Sequence, residues 1–197
     1  MSKGKEIRAA MPVEVRETEA EGVKVGGYAA VFDEWADIGG YFQERIMPGA
    51  FEGRLEDDVQ FLVNHRDLPL ARTTSGTLTL TVDERGLYME TTLDPSDPDA
   101  ARIIPKLQRG DLSKMSFAFT VEDGGKDEWD HSGDVPKRTI TRIGKMYDVA
   151  VVSSPAYGGT EIGLRSLEAA RAADAAENSQ PVRARRMRMA LALVEQG

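Results

Sequence analysis

Three polar residues stand beside apolar segments where a covalent catalyst could be built. His65 follows a short apolar run, Ser116 is the second residue of the apolar segment 115–121, and Asp148 opens another apolar segment. A serine hydroxyl becomes a usable nucleophile when a histidine takes its proton and a carboxylate fixes the tautomer of that histidine. These residue types are therefore candidates for acyl transfer through a serine.

Each of the three residues also has an ordinary structural interpretation. A histidine at a strand end is often a surface or hydrogen-bonded side chain, and a serine early in a strand is often half exposed. A carboxylate at the edge of a strand commonly prevents pairing with another chain. The sequence around Ser116 is not the GxSxG turn of the α/β-hydrolases. Position alone therefore leaves both interpretations open.

The composition narrows the chemistry open to these 197 residues, which include no cysteine and two histidines. Without cysteine they cannot form a disulfide scaffold, a cysteine-ligated zinc or iron–sulfur site, or a thiol nucleophile. The second histidine, His131, falls in a polar segment that we expect to be a loop. The HExxH, EF-hand and phosphate-loop motifs are absent. We therefore expect no metal and no cofactor.

Charge is distributed unevenly along the chain. The net charge is −8, but residues 165–197 carry six Arg against four Asp and Glu, a net of +2, which leaves −10 on residues 1–164. Net acidity disfavours nucleic-acid binding, and no apolar run approaches the roughly 20 residues of a membrane span. The charged first ten residues lack the apolar segment of a secretory signal. We expect a soluble, intracellular protein that binds neither nucleic acid nor membrane.

Short alternating segments predict an α+β fold that is mainly β. Residues 77–82 and 87–93 predict a β-hairpin, and a capping sequence predicts a helix over about 97–108. Further strands are predicted at 59–63, 115–121, 137–142 and 147–153, the last two as a pair, with a mobile loop at 122–136. Many short strands with turn signals predict a small closed or partly closed β-barrel with surrounding helices.

The composition changes near residue 165. Residues 166–177 are rich in alanine and predict a helix, and residues 182–195 predict a second, basic helix after a break. The predicted divisions are a lead-in at 1–22, a folded domain at 23–164 and a helical basic tail at 165–197.

The order of several short motifs resembles the prohead maturation protease family of tailed bacteriophages. The motifs span about residues 23–164 and occur in the family's order. They are GYAAVF at 27–32, ERIMPGAF at 44–51, LVNH at 62–65, DERGL at 83–87, GDLSKMSF at 110–117 and YDVAVVSSPA at 147–156. Each motif alone is weak, and together they are fairly specific. The family consists of serine peptidases similar in fold to the herpesvirus assembly protease, which implies a β-barrel with surrounding helices.

The resemblance implies roles for the three polar residues. His65 aligns with the histidine of the family and Ser116 with its nucleophile. The acid of the family is usually Glu in a segment of the type EVSLV, and the matching stretch here begins with Asp148 and has Ala150 in place of the serine. Asp148 would then be the third member. The herpesvirus relatives use a second histidine instead, but the predicted loop around His131 disfavours that arrangement here.

The resemblance also implies a function: a serine endopeptidase of prohead maturation. It would cut the major capsid protein or its scaffolding segment, a separate scaffold protein, and itself, in the host cell cytoplasm inside the immature prohead. The herpesvirus similarity suggests a homo-oligomer, a dimer. The tail at 165–197 would be a scaffold-docking or self-cleaved region. The alternative is a catalytically inactive, protease-like module that assists head assembly without cutting.

Overall fold

Strands dominate the part of the chain that the computed structural model describes, which is residues 5–18, 22–122, 124–153, 167–172 and 175–176. Most of these residues lie in the first of two units, Met1–Thr160 and Glu161–Gly197. The described part of the first unit forms thirteen strands, β1 to β13, and one helix, α1. The mainly β class predicted from the sequence is therefore confirmed.

One five-stranded sheet positions all three candidate residues. Ser116 and Asp148 lie in its strands, and His65 lies in a turn between two of them. The spatial order of this sheet is β1 (Glu6–Pro12), β10 (Lys114–Thr120), β13 (Lys145–Val152), β6 (Gln60–Val63) and β7 (Arg66–Arg72). Strand β10 is antiparallel to both of its neighbours, whereas β13 and β6 run parallel. Segments far apart in sequence thus become neighbours at the centre of this sheet.

Two four-stranded sheets complete the described strands. One has the order β11 (Lys126–Asp130), β12 (Lys137–Arg142), β5 (Phe42–Ile46) and β4 (Ala36–Ile38), and the other β2 (Glu14–Thr18), β3 (Gly22–Val31), β9 (Gly86–Leu93) and β8 (Leu78–Val82). Every sheet ends in edge strands. The predicted closed or partly closed barrel is thus not confirmed by the described residues, because short alternating segments do not reveal how strands are divided among sheets.

The alternation of β10 decides which face its serine occupies. Phe117 and Phe119 are buried in the main core, where their rings stack with centroids 4.8 Å apart and Phe117 meets Phe51 edge-on at 5.8 Å. Because successive residues of a strand point to opposite faces, Ser116 lies on the other face. That face carries a second, small apolar cluster of Leu62, Ala150 and Val152.

The predicted hairpin and helix are confirmed. Strands β8 and β9 pair as antiparallel neighbours, and α1 spans Pro98–Gln108. The side chain of Asp97 caps α1 by accepting from the N–H of Asp99 at 2.9 Å. Gly110 follows the helix with a φ of 79°, the left-handed conformation that favours glycine after a helix end.

Two sequence predictions in the region after β10 are wrong. The segment 122–136 is not a loop throughout, since it contains β11, where the ring of Trp129 packs 5.0 Å from Phe42 in centroid distance. Strands β12 and β13 form as predicted but lie in different sheets and are not a pair. Gly144 separates them at a crowded point, because a Cβ there would lie 1.7 Å from the carbonyl oxygen of Glu122.

The tail is described in part. Residues 167–172 and 175–176 are helical, within the first predicted tail helix, and the second predicted helix at 182–195 lies outside the described residues. The division at 1–22, 23–164 and 165–197 stays a prediction. In the described part of the chain, no helix is both long and apolar enough to cross a membrane.

Candidate active site

The structure brings the three predicted residues together in one hydrogen-bonded chain. The Nε2 atom of His65 lies 2.7 Å from the Oγ atom of Ser116, and its Nδ1 atom lies 2.5 Å from the Oδ1 atom of Asp148. The residues come from separate elements, a turn, β10 and β13. Hydroxyl, imidazole and carboxylate therefore stand in the order that activates a serine nucleophile.

Sheet register places the serine and the acid on the same face. Ser116 pairs with Ala150 across β10 and β13, and Ala150 pairs with Leu62 on β6. Asp148 is two residues before Ala150, so its side chain shares the face of Ser116. Ala150 is fully buried between Ser116 and Leu62 in this row.

His65 is held by a tight turn between β6 and β7. Val63 pairs with Arg66, so Asn64 and His65 are the two central residues, and their φ angles are 52° and 59°. Positive φ at both central residues defines a type I′ hairpin turn, which favours Asn followed by Gly. A histidine in this conformation is uncommon and is typical of functional positions. Strand β7 begins directly after His65, at Arg66.

Asn64 fixes the same turn from its other side. Its Oδ1 atom accepts a hydrogen bond of 3.1 Å from the backbone N–H of Ser153, which follows β13. The turn is therefore tied to the strand that carries Asp148. The Asn-His pair was visible in the sequence, and its first residue is one that tolerates the left-handed conformation.

The site is shielded from solvent. The side chains of His65 and Asp148 are 6% and 3% exposed, and Ser116 is 0% exposed. Burial disfavours the charged form of Asp148, but hydrogen bonds and positive charge from His65 and Lys5 outweigh it and hold the pKa of the carboxyl below its ordinary value. The acid is thus ionised next to the imidazole, as an orienting carboxylate must be.

Sequence analysis missed Lys5, which binds the free oxygen of the acid. Its Nζ atom lies 2.5 Å from Oδ2 of Asp148, so each carboxylate oxygen has its own partner. Lys5 stands 143 residues before Asp148, directly before β1. A lysine in a charged N-terminal segment gives no signal of such a contact, and only the pairing of β1 with β10 brings it near.

The Ser116 hydroxyl has two acceptors within reach. Besides Nε2 of His65, the backbone carbonyl oxygen of Arg8 on β1 lies 2.7 Å from Oγ. A hydroxyl carries one proton, so it donates to one acceptor at a time. With Nδ1–H of His65 donating to Asp148, Nε2 of the neutral ring is the acceptor that can also take the proton away.

A second buried polar group lies on the opposite face of β1. We call it the buried ion cluster: Glu6 and Arg8 of β1, Glu44 of β5 and Arg138 of β12. All four side chains are at most 9% exposed. Burial opposes their charges, but the opposite charges prevail, so the pKa of Glu44 is lowered and those of both arginines are raised.

The cluster is joined by direct ion pairs. Arg8 binds Glu44 through Nε at 2.5 Å and Glu6 through Nη2 at 2.7 Å. Arg138 binds Glu6 through Nη1 at 2.5 Å and Glu44 through the same atom at 3.0 Å. The cluster therefore fastens β1 to the sheet that contains β5 and β12.

The remaining histidine lies next to another sheet. His131 follows β11, and its ring stacks on that of Trp129 at a centroid distance of 5.7 Å. The imidazole that contacts the serine and the acid is that of His65, and the third position of the hydrogen-bonded chain is Asp148.

Known proteins similar to this chain agree with the motif resemblance. A family model described as caudovirus prohead serine protease matches residues 11–174, which include all three candidate residues. The prohead protease of Enterobacteria phage HK97 is 31% identical over 135 residues, which cover 66% of this chain and 54% of the phage protein. The chain thus spans about half the length of this curated relative. No solved structure matches it.

Proposed function

Because this chain belongs to the caudovirus prohead serine protease family, we propose that it is a serine endopeptidase acting through Ser116, His65 and Asp148. The observation that carries the proposal is the continuous hydrogen-bonded chain from hydroxyl to imidazole to carboxylate.

The first half of the reaction is acylation. Ser116 turns its O–H from the carbonyl of Arg8 to His65, which takes the proton as Oγ attacks the carbonyl carbon of the scissile peptide bond. The tetrahedral intermediate collapses when His65, now an imidazolium, gives that proton to the leaving amine. The new amino terminus departs, and the acyl group stays as an ester on Oγ.

The second half is deacylation. A water molecule donates a proton to Nε2 of His65 and attacks the ester carbonyl, and the proton returns to Oγ as the acid product leaves. Asp148 holds Nδ1–H throughout, so Nε2 stays the reacting nitrogen, and its charge stabilises the imidazolium in both halves. Removal of a member of such a set typically costs about 10⁴–10⁶-fold in rate.

Membership of the family supports a proposal for the substrates. We propose that the chain cuts the major capsid protein or its scaffolding segment, a separate scaffold protein, and itself, inside the immature prohead in the host cell cytoplasm. We also propose that the chain forms a dimer and that its fold is similar to that of the herpesvirus assembly protease. The basic tail at 165–197 is the proposed scaffold-docking or self-cleaved region.

Coexpression with the major capsid protein of the same phage tests this function. The full chain is expected to shorten the capsid protein and itself, and intact-mass analysis locates the cuts. Ser116→Ala is expected to abolish both cuts without changing the unfolding temperature. Ser113→Ala is the matched control, because Ser113 is exposed three residues before the nucleophile, and it is expected to cut normally.

A fluorophosphonate probe separates the enzyme from a non-cutting assembly module. The enzyme is expected to carry the label on Ser116 and nowhere else. Undiminished processing by Ser116→Ala would refute the assignment of the nucleophile. A wild-type chain that neither takes up the label nor shortens the capsid protein would establish the structural module instead.

A further inference from the structure

The strand at the start of the chain takes part in the site as well as in the fold. We propose that Lys5 is a positioning residue that aims Asp148 at His65. This inference rests on the proposed function. The two oxygens of the Asp148 carboxylate have different partners. Oδ1 lies 2.5 Å from Nδ1 of His65, and Oδ2 lies 2.5 Å from Nζ of Lys5. A second partner on Oδ2 limits rotation of the carboxylate and leaves Oδ1 for the imidazole.

Strand register explains how a lysine so far away in sequence reaches the acid. Ile7 of β1 pairs with Ala118 of β10, and Ala118 pairs with Asp148 of β13. The chain beside Lys5 is thus two strands from the acid, and the small side chain of Ala118 stands between them. The long side chain of lysine spans this interval.

The buried ion cluster fixes the backbone that carries Lys5. Glu6, the next residue, binds Arg138, and Arg8 binds Glu44. Lys5 itself is 39% exposed, so its own packing would not hold it. Because neighbouring residues of an extended chain point to opposite faces, the anchoring of Glu6 on one face directs Lys5 to the other.

The positive charge of Lys5 also offsets part of the negative charge that Asp148 presents to the imidazole of His65. The carboxylate of Asp148 binds Lys5, before β1, and His65, in the turn after β6. The neighbouring strands place uncharged residues opposite it, Ala118 on β10 and Gln60 on β6. The Lys5 ammonium also lies over the ring of Tyr147, 5.5 Å from its centroid. Without Lys5 the full carboxylate charge acts on the imidazole. Loss of the cation that offsets this charge is therefore expected to change the acid limb of the activity, which the pH profile below measures.

Three variants of the full chain test this role. Lys5→Gln removes the cation, Lys5→Arg keeps it, and Lys24→Gln is the matched control. Lys24 is also 39% exposed and pairs with a carboxylate, that of Glu90 at 2.9 Å, but on a different sheet from the site. Unfolding temperatures of all three are measured first. Lys5→Arg and Lys24→Gln are expected to stay close to the wild type, and Lys5→Gln to fall slightly, because it removes one cationic partner of a buried carboxylate.

The kinetic readout is the pH profile of kcat/KM for capsid-protein cleavage. Lys5→Gln is expected to lose on the order of tenfold in kcat, below the ~100-fold that a 1 Å misplacement can cost, with little change in KM. Its acid limb is expected to move upward by about one pH unit. Lys5→Arg is expected to restore most of the rate and the position of the limb, and Lys24→Gln to match the wild type.

A second readout does not depend on catalysis. The chain has only two histidines, so NMR of the imidazole protons, assigned with His131→Gln, follows the titration of His65 directly. The comparison is between variants: Lys5→Gln is expected to move this midpoint upward from that of the wild type, and Lys24→Gln to leave it in place. A midpoint equal in Lys5→Gln, Lys24→Gln and wild type would overturn the inference. Failure of the wild type to cleave, with the midpoint shifted, would count against the proposed function alone.

Discussion

The two faces of β1 carry two buried polar groups of opposite character. On one face the buried ion cluster joins two arginines to two glutamates, and Arg138 also binds the less buried Asp127 at 2.7 Å. On the other face the hydroxyl of Ser116 has two acceptors for one proton, His65 and the carbonyl of Arg8. A satisfied set of charges holds a structure, whereas a proton with two acceptors can move.

The difference separates two kinds of sensitivity. Loss of one charge from the buried ion cluster leaves another buried and unmatched, so the free energy of unfolding should suffer. Loss of a group from the serine site removes a proton acceptor or donor that the fold does not need, so the rate should suffer instead. Variants that affect both properties equally would break this comparison.

The largest expected effect is on the rate. His65→Gln is expected to lower kcat/KM for capsid-protein cleavage by about 10⁴–10⁶-fold, because glutamine can hydrogen-bond but cannot act as a base near neutral pH. His131→Gln, which alters the imidazole stacked on Trp129, is expected to retain normal activity. Equal losses in both variants would point to a general effect of histidine replacement and contradict the role of His65.

The next largest effect is on stability. Arg138→Met is expected to lower the free energy of unfolding by about 3–5 kcal/mol, because Glu6 and Glu44 then share one arginine in a buried place. Urea unfolding measures the loss. Arg72→Met, which breaks an exposed pair with Asp58, is expected to change stability little. The comparison fails if Arg138→Met unfolds no more readily than Arg72→Met.

A smaller effect is expected from acid. Burial opposes ionisation of Asp148 and Glu44, but their cationic partners lower the pKa of each, from ordinary values of 3.8 and 4.5. Their stabilising contribution is complete above those values and is lost as pH falls through the lowered ones. The urea midpoint is therefore expected to decline below about pH 4, and Glu44→Gln to flatten that decline. A midpoint that stays constant through this range would be inconsistent with both shifts.

The smallest effect concerns the turn. His65 has a φ of 59°, a conformation that costs a residue with a Cβ roughly 1–2 kcal/mol relative to glycine. His65→Gly is therefore expected to be about 1 kcal/mol more stable than His65→Ala, and both variants are expected to be inactive. Thermal unfolding of the two variants measures the difference. If the alanine variant is the more stable one, the turn is not under the strain inferred here.

The sequence revealed individual elements better than their arrangement. The hairpin of β8 and β9 and the helix α1 depend on local alternation and capping, so they could be predicted. The pairing of β13 with β10 and β6 joins distant segments, and no local pattern encodes it. For the same reason, the predicted pairing of β12 with β13 is wrong: the two strands are adjacent in sequence but lie in different sheets.

The candidate site divides in the same way. His65, Ser116 and Asp148 could be chosen because motifs around them resemble a family, and the structure places them within hydrogen-bonding distance. Lys5 could not be chosen, since its contact depends on the register of β1. The buried ion cluster was equally hidden, because its members look like ordinary surface charges until strands from two sheets meet.

The alternation of β1 also has a consequence for how the chain avoids mispairing as it folds. A slip of one residue along β10 would exchange the two faces and turn the carboxylate of Glu6 toward Asp148, while Lys5 entered the interior. Like charges would then meet on one side, and on the other side the buried ion cluster would lose both Glu6 and Arg8. The charges of the four residues Lys-Glu-Ile-Arg thus favour the native register of β1 on β10 over registers shifted by one residue.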